Sequence, residues 1–256
     1  MRTVFFLTLG LATFALSSVA HAHSDVLPYA YNGKIVTGGH DDVTLENTIV
    51  ERVFGYDFGE EPSDPYFISD PGFNNGAFAV GIFPNDGLLP ANFTLGFDVL
   101  TTLQYWDGTG AVSFGLPEPG VSLGLNKGAF TVTVDGTGQT GTPPSIGSTG
   151  PLGRLHVHLG SLLNSSDGTD PGDPNAPAGV YMLGLQLKLP GSGVANSDPF
   201  YLVYNNGLDE ETHDLAIQWV DTHLVPEPST WLLVATAAAG VPAFVRRKRR
   251  RIRVQS

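Results

Sequence analysis

Ala129-Phe130-Thr131-Val132-Thr133-Val134, closed by Asp135-Gly136, decides how the rest of the chain is read. Apolar and polar residues alternate, so Phe130, Val132 and Val134 fall on one face of a strand. Asp-Gly after such a run is a hairpin-type turn. Working outward, Leu103-Gln104-Tyr105-Trp106, Asp107-Gly108 and Ala111-Val112-Ser113-Phe114 read as a second hairpin. Tyr181-Met182-Leu183-Gly184-Leu185-Gln186-Leu187-Lys188 is a third strong strand, ended by Pro190-Gly191. Further strands are expected at 34–37, within 43–54, and at 93–105, 154–159, 200–204 and 215–219, while 210–219 is also the only candidate helix between the two ends of the chain. Segments 60–75, 136–153 and 164–179 read as long loops. The 32 glycines and 19 prolines are spread along the whole chain rather than gathered in a linker. Short strands between Gly/Pro turns predict an all-β fold, a single β-sandwich of jelly-roll or Ig-like type.

The two ends have a different character. Arg2, an apolar run over 4–16 and Ser17-Ser18-Val19-Ala20-His21-Ala22 have the n-region, core and A-x-A site of a secretory signal peptide. Cleavage after Ala22 is expected to leave His23 as the mature N-terminus. At the other end stand Val225-Pro226-Glu227-Pro228-Ser229, an apolar run over 231–245, and Arg246-Arg247-Lys248-Arg249-Arg250-Arg251. Fifteen apolar residues rise about 22 Å as a helix, short of a ~30 Å hydrocarbon core, so flanking residues must extend the span. A basic cluster after such a run stays cytoplasmic, which turns the bulk of the chain outward. The expected division is a signal peptide at 1–22, an extracellular β-domain at 23–224 and a terminal segment at 225–253. That segment comprises the motif at 226–228, a transmembrane helix at 230–245 and a basic tail at 246–253.

The order Val-Pro-Glu-Pro-Ser-Thr-Trp, apolar helix, arginine block resembles the PEP-CTERM sorting signal, also known as the ice-binding protein C-terminal domain. The resemblance implies recognition of Pro226, Glu227 and Pro228 by an exosortase-type sorting protease, removal of the tail, and a cell-surface setting often shared with exopolysaccharide production. It does not imply ice binding. The 60–75 segment resembles exported planctomycete proteins.

Of the 13 Lys and Arg, seven lie in the tail and one in the signal peptide, leaving five against 24 acids and a net charge near −19. Such a surface excludes nucleic acid as a partner and suits cation binding and solubility outside the cell. An exported chain with no cysteine is held by its core or by metal ions. No Gly-x-Ser-x-Gly elbow, cysteine nucleophile or phosphate-binding glycine loop is present, so no catalytic residues are assigned and an enzyme is not expected.

The residues that can carry chemistry are histidines. His156-Val157-His158 lies in an expected strand, where residues two apart share a face and both imidazoles can meet one ion. His23 would add a ring nitrogen and a free amine, a set suited to copper, with Asp25 as a carboxylate ligand and His213 as a further one. Copper or zinc is the implied ion; the bland alternative is a solvated histidine face. His40 and His223 read as surface residues. Asp167, Asp170 and Asp173 could chelate calcium but read better as an acidic loop. Tyr105-Trp106 reads as core in preference to a sugar platform. His23 and Asp25 near the start, Leu155-His156-Val157-His158-Leu159 and Ala178-Gly179-Val180-Tyr181 also resemble the surface-anchored domain of actinobacterial wall proteins, although the tryptophan usual after H-x-H is missing. That resemblance implies a metal-linked surface role. Two functions are therefore expected: a non-enzymatic structural or binding role at the surface or in the exopolysaccharide matrix, or surface metal binding through His23, Asp25, His156, His158 and His213.

Overall fold

Sixteen strands and one helix make up the described part of a computed structural model, which covers residues 24–41, 47–60, 64–75, 88–128, 130–143, 145–164 and 176–226. The expected signal helix, His23, the acidic loop of Asp167, Asp170 and Asp173, the transmembrane helix and the basic tail lie outside the described residues. In chain order the first strands are β1 (Ser24–Tyr31), β2 (Lys34–Asp41), β3 (Asn47–Thr48), β4 (Val53–Asp57), β5 (Phe67–Ile68) and β6 (Gly72–Asn74). Then come β7 (Thr94–Val99), β8 (Gln104–Trp106), β9 (Ser122–Lys127), β10 (Phe130–Asp135), β11 (Gly138–Gly141) and β12 (Ser145–Ser148). The last are β13 (His156–His158), β14 (Gly160–Asn164), β15 (Gly179–Lys188), β16 (Phe200–Asn206) and the helix α1 (Glu210–Leu224).

These strands form three sheets. One runs β13-β6-β1-β2-β3, the second β11-β10-β9-β14-β5, and the third β12-β7-β15-β16-β4 with β8 paired to β15. The sheets share a core: Val26, Ile35 and Phe73 from the first meet Leu123, Leu125, Val132 and Val134 from the second and Phe54, Phe97, Leu183 and Phe200 from the third. The opening strand behaves as its alternation requires, burying Val132 and Val134 while Thr131 faces out. Its hairpin turn is held by Asp135 Oδ1, which accepts from the Thr137 amide at 2.7 Å and the Gly138 amide at 3.0 Å. These donors hold the Asp135 carboxyl below its usual range, the Thr137 hydroxyl being the largest cause.

Several expectations need correction. The stretch 111–114 is not a strand; only Gly115 bridges back to Tyr105, because β8 takes its ladder from β15 instead. Residues 215–219 are helical, not extended. The expected loops at 60–75 and 136–153 hold β5 and β6, and β11 and β12, strands too short for alternation to reveal. Trp106 is buried and Tyr105 packs on Tyr181 with ring centroids 5.0 Å apart, as core residues do.

The helix α1 begins where Asp209 caps it, the carboxylate accepting from the Thr212 amide at 2.8 Å. His213, Ala216, Ile217 and Val220, at helical spacing, form its buried face. That face packs on Val53, Val180, Met182 and Val203. Each aliphatic side chain so buried contributes about 1.5–3 kcal/mol. No helix among the described residues is long and apolar enough to cross a membrane.

Candidate metal centre

Strands β13, β6 and β1 lie side by side at one edge of the first sheet. β13 pairs antiparallel to β6 with His158 opposite Gly72 and His156 opposite Asn74. β6 pairs parallel to β1 through Phe73 and Val26. Val26, Phe73 and Val157 point into or against the core, so Asp25, His156 and His158 belong to the opposite face. β2 continues the row by setting His40 opposite Asp25.

Gly72 lets this row close. A Cβ there would stand 1.8 Å from Asp25 Oδ1 and 3.0 Å from His158 Cε1. The missing side chain is the space in which a carboxylate on β1 and an imidazole on β13 meet across the intervening strand. Asp25, Asp70 and His158 each offer a ligand atom, all within 4.8 Å of one another. Asp25 is 7 % exposed and accepts from Asn74 Nδ2 at 3.3 Å.

His156 and His158 are both exposed, and their Nε2 atoms face each other at 3.3 Å. The other nitrogen of His158, Nδ1, lies 3.0 Å from the Ser69 carbonyl and 3.3 Å from Asp70 Oδ1. A carbonyl only accepts, so Nδ1 carries the proton and Nε2 presents its lone pair outward. Carboxylate and carbonyl partners of this kind orient a metal-ligating histidine. Lys127 Nζ donates to the His158 carbonyl at 3.0 Å, pinning the strand from the second sheet. Beneath the site Ser161 Oγ donates to the Asp70 carbonyl at 2.6 Å and meets Tyr204 Oη at 2.9 Å. Burial holds the Tyr56 and Tyr204 phenols well above their usual range, with the Asp70 charge adding to both.

Of the five expected ligands, Asp25, His156 and His158 gather here. His23 lies outside the described residues. His213 does not join them: it sits under α1, fully buried, with Nε2 3.1 Å from the Val203 carbonyl. His40, expected at the surface, is 1 % exposed, because β1 and β3 flank β2 and Asn47 Oδ1 meets its Nδ1 at 3.0 Å. His223 is exposed and stacks on Trp219 with ring centroids 4.6 Å apart. The residues that the sequence did not single out are Asp70, Gly72 and Asn74. A glycine between two large residues in Pro71-Gly72-Phe73 was the available signal.

With the fold and site in place, the chain falls in the class of exported proteins sorted at their C-terminal end. The sorting signal is the PEP-CTERM protein-sorting motif, whose family model matches residues 224–251, including Pro226, Glu227 and Pro228. The motif implies processing by exosortase-type machinery, export and association with the cell envelope. No curated protein and no solved structure matches the chain.

Proposed function

We propose that this exported, PEP-CTERM-sorted protein is non-enzymatic and captures a transition-metal ion at the β13 edge, zinc in preference to copper(II). One observation carries the reading, the 3.3 Å separation of the two Nε2 atoms. Two nitrogens bound at 2.0–2.1 Å to a tetrahedral ion stand about 3.3–3.4 Å apart. Adjacent nitrogens around a square-planar copper(II) ion stand closer, about 2.8–2.9 Å. In this reading His156 and His158 bind through Nε2, Asp70 orients His158, and Asp25 lends a nearby negative charge. Cleavage after Ala22 would free the amine of His23, next to Ser24 at the start of β1, as a further ligand. The domain is read as residues 23–224, a β-sandwich presented outward, with the tail as a transient membrane anchor.

The test is calorimetric titration of Zn2+ and Cu2+ into the full chain in detergent, and into His156→Ala and His158→Ala. The parent should bind zinc at micromolar strength or tighter, and each variant should lose about 10–100-fold. Parent and variants that bind zinc equally would overturn the reading. A second role, attachment in an exopolysaccharide matrix, is favoured by the sorting motif. Retention of the chain on native exopolysaccharide tests it, and free passage counts against it.

A further inference from the structure

A second imidazole nitrogen in the molecule faces carboxylates, and it is deeply buried. His213 has no exposed surface, and its Nε2 lies 3.1 Å from the Val203 carbonyl of β16. A carbonyl accepts, so Nε2 carries the hydrogen, and in the neutral ring Nδ1 is a bare lone pair. Nδ1 has no hydrogen-bond partner among the described residues. It points instead at Asp57 Oδ1, 3.5 Å away. That oxygen is itself an acceptor, taking a hydrogen bond from Asn205 Nδ2 at 2.7 Å. A fully buried lone pair thus faces an oxygen of a carboxylate that is 18 % exposed, and a positive charge between them would remove the penalty.

The spacing says what kind of charge fits. A proton shared between imidazolium and carboxylate draws the pair to about 2.7–2.9 Å. An ion holding one nitrogen and one oxygen at 2.0–2.2 Å in tetrahedral geometry sets them about 3.3–3.5 Å apart. Glu210 completes the set, since Asp57, Glu210 and His213 bring ligand atoms within 4.8 Å of one another. The helix dipole accounts for acids in the first turn of α1. It does not account for an imidazole lone pair buried beside them. The close approach is also built in: a Cβ on Gly55 of β4 would stand 2.5 Å from Ile217 Cδ1 and 3.2 Å from His213 Cε1.

We propose that His213 Nδ1, Asp57 and Glu210 form a second site for a divalent first-row ion, Zn2+ or Mn2+, that ties the first turn of α1 to β4. One nitrogen and two carboxylates match the charge of a dication and suit these ions better than calcium, which takes oxygen alone. The helix so fastened runs to Leu224, where the sorting motif begins, so the ion fixes the element that presents the tail.

The experiment uses the full chain in detergent with His156→Ala and His158→Ala together, which silences the edge site. Zn2+ and Mn2+ are titrated by calorimetry, and Co2+ absorption reports the coordination geometry. The background is expected to bind one ion per chain. Glu210→Gln should weaken binding at least about tenfold with only a small fall in the metal-free melting temperature, because Glu210 is exposed and gives up only its interaction with the helix dipole. His213→Gln and Asp57→Asn should abolish binding. A background that binds no ion, or one whose affinity Glu210→Gln and His213→Gln leave unchanged, overturns the proposal. Failure of the β13 edge to bind metal has no bearing on this result, so the two readings fail separately.

Discussion

The edge of β13 and the underside of α1 both bring histidine to carboxylates, yet they are built in opposite ways. At the edge, two exposed rings come from one strand, spaced by the pleat, and their Nε2 atoms meet at 3.3 Å. Under the helix, one fully buried ring is held by a carbonyl from another strand, and its carboxylates come from β4 and from the first turn of α1 itself. The first arrangement can lose a ring and keep its fold. The second is part of the packing between helix and sheet. The same residue type is therefore a replaceable ligand in one place and a structural member in the other.

The sharpest test of that difference is one substitution made twice in metal-free protein. His213→Ala leaves a cavity and strips the Val203 carbonyl of its donor, and is expected to cost about 2–4 kcal/mol. His158→Ala removes an exposed ring and should cost less than about 0.5 kcal/mol. Urea denaturation of the two variants measures both. Equal losses would erase the distinction.

The two glycines come next. Gly55→Val drives a branched side chain into Ile217 and the His213 ring, and is expected to destabilise by about 2–3 kcal/mol through overpacking. Gly72→Ala meets mainly the end of the Asp25 side chain, at 1.8 Å from Oδ1, and that carboxylate can swing aside. Its cost should be nearer 1 kcal/mol, while zinc affinity at the edge falls about tenfold or more. Thermal melts paired with zinc titration separate packing from ligation. A Gly72→Ala variant that keeps its zinc affinity would show that Asp25 has no part in the site.

How far each region could be read from sequence follows from the same contrast. H-x-H in a strand announces itself, because a period of two needs only three residues to place both rings on one face. β10 and β15 were legible for the same reason, being long enough to show alternation or a sustained apolar run. β5, β6, β11 and β12 were not, since two to four residues carry no period. Asp70 was lost with them, although it orients His158. His213 is legible as a possible ligand but its neighbours are not, because the pairing of β4 with β16 and the docking of α1 are long-range facts. The burial of His40 is not legible either, because whether β2 has a neighbour on each side depends on the sheet order. The C-terminal motif needed no fold at all, and so it was the most legible element in the chain.

A smaller effect concerns the edge alone. Asp70→Asn keeps an oxygen near His158 Nδ1 but removes the carboxylate charge beside it. Zinc affinity is expected to fall about tenfold, or about 1.4 kcal/mol, with little change in stability. No change would leave the Ser69 carbonyl as the sole orienting partner of that ring.

The smallest effect lies at the start of α1 and tests whether the helix is fastened by its cap as well as by its buried face. The Asp209 carboxyl is held below its usual value, first by the Thr212 amide and then by the Thr212 hydroxyl. A group whose folded pKa is depressed stabilises the fold above its unfolded value, near 3.8, and that contribution is lost as pH falls through the lower folded value. Stability should therefore decline below pH 3.8 partly through this cap. Asn accepts the same amide hydrogen without titrating. Asp209→Asn should leave neutral-pH stability nearly unchanged and flatten that acid limb, read by helical circular dichroism. If the acid limb keeps its slope in Asp209→Asn, the cap does not report on acid unfolding. The docking of α1 would then rest on the packed face of His213, Ala216, Ile217 and Val220.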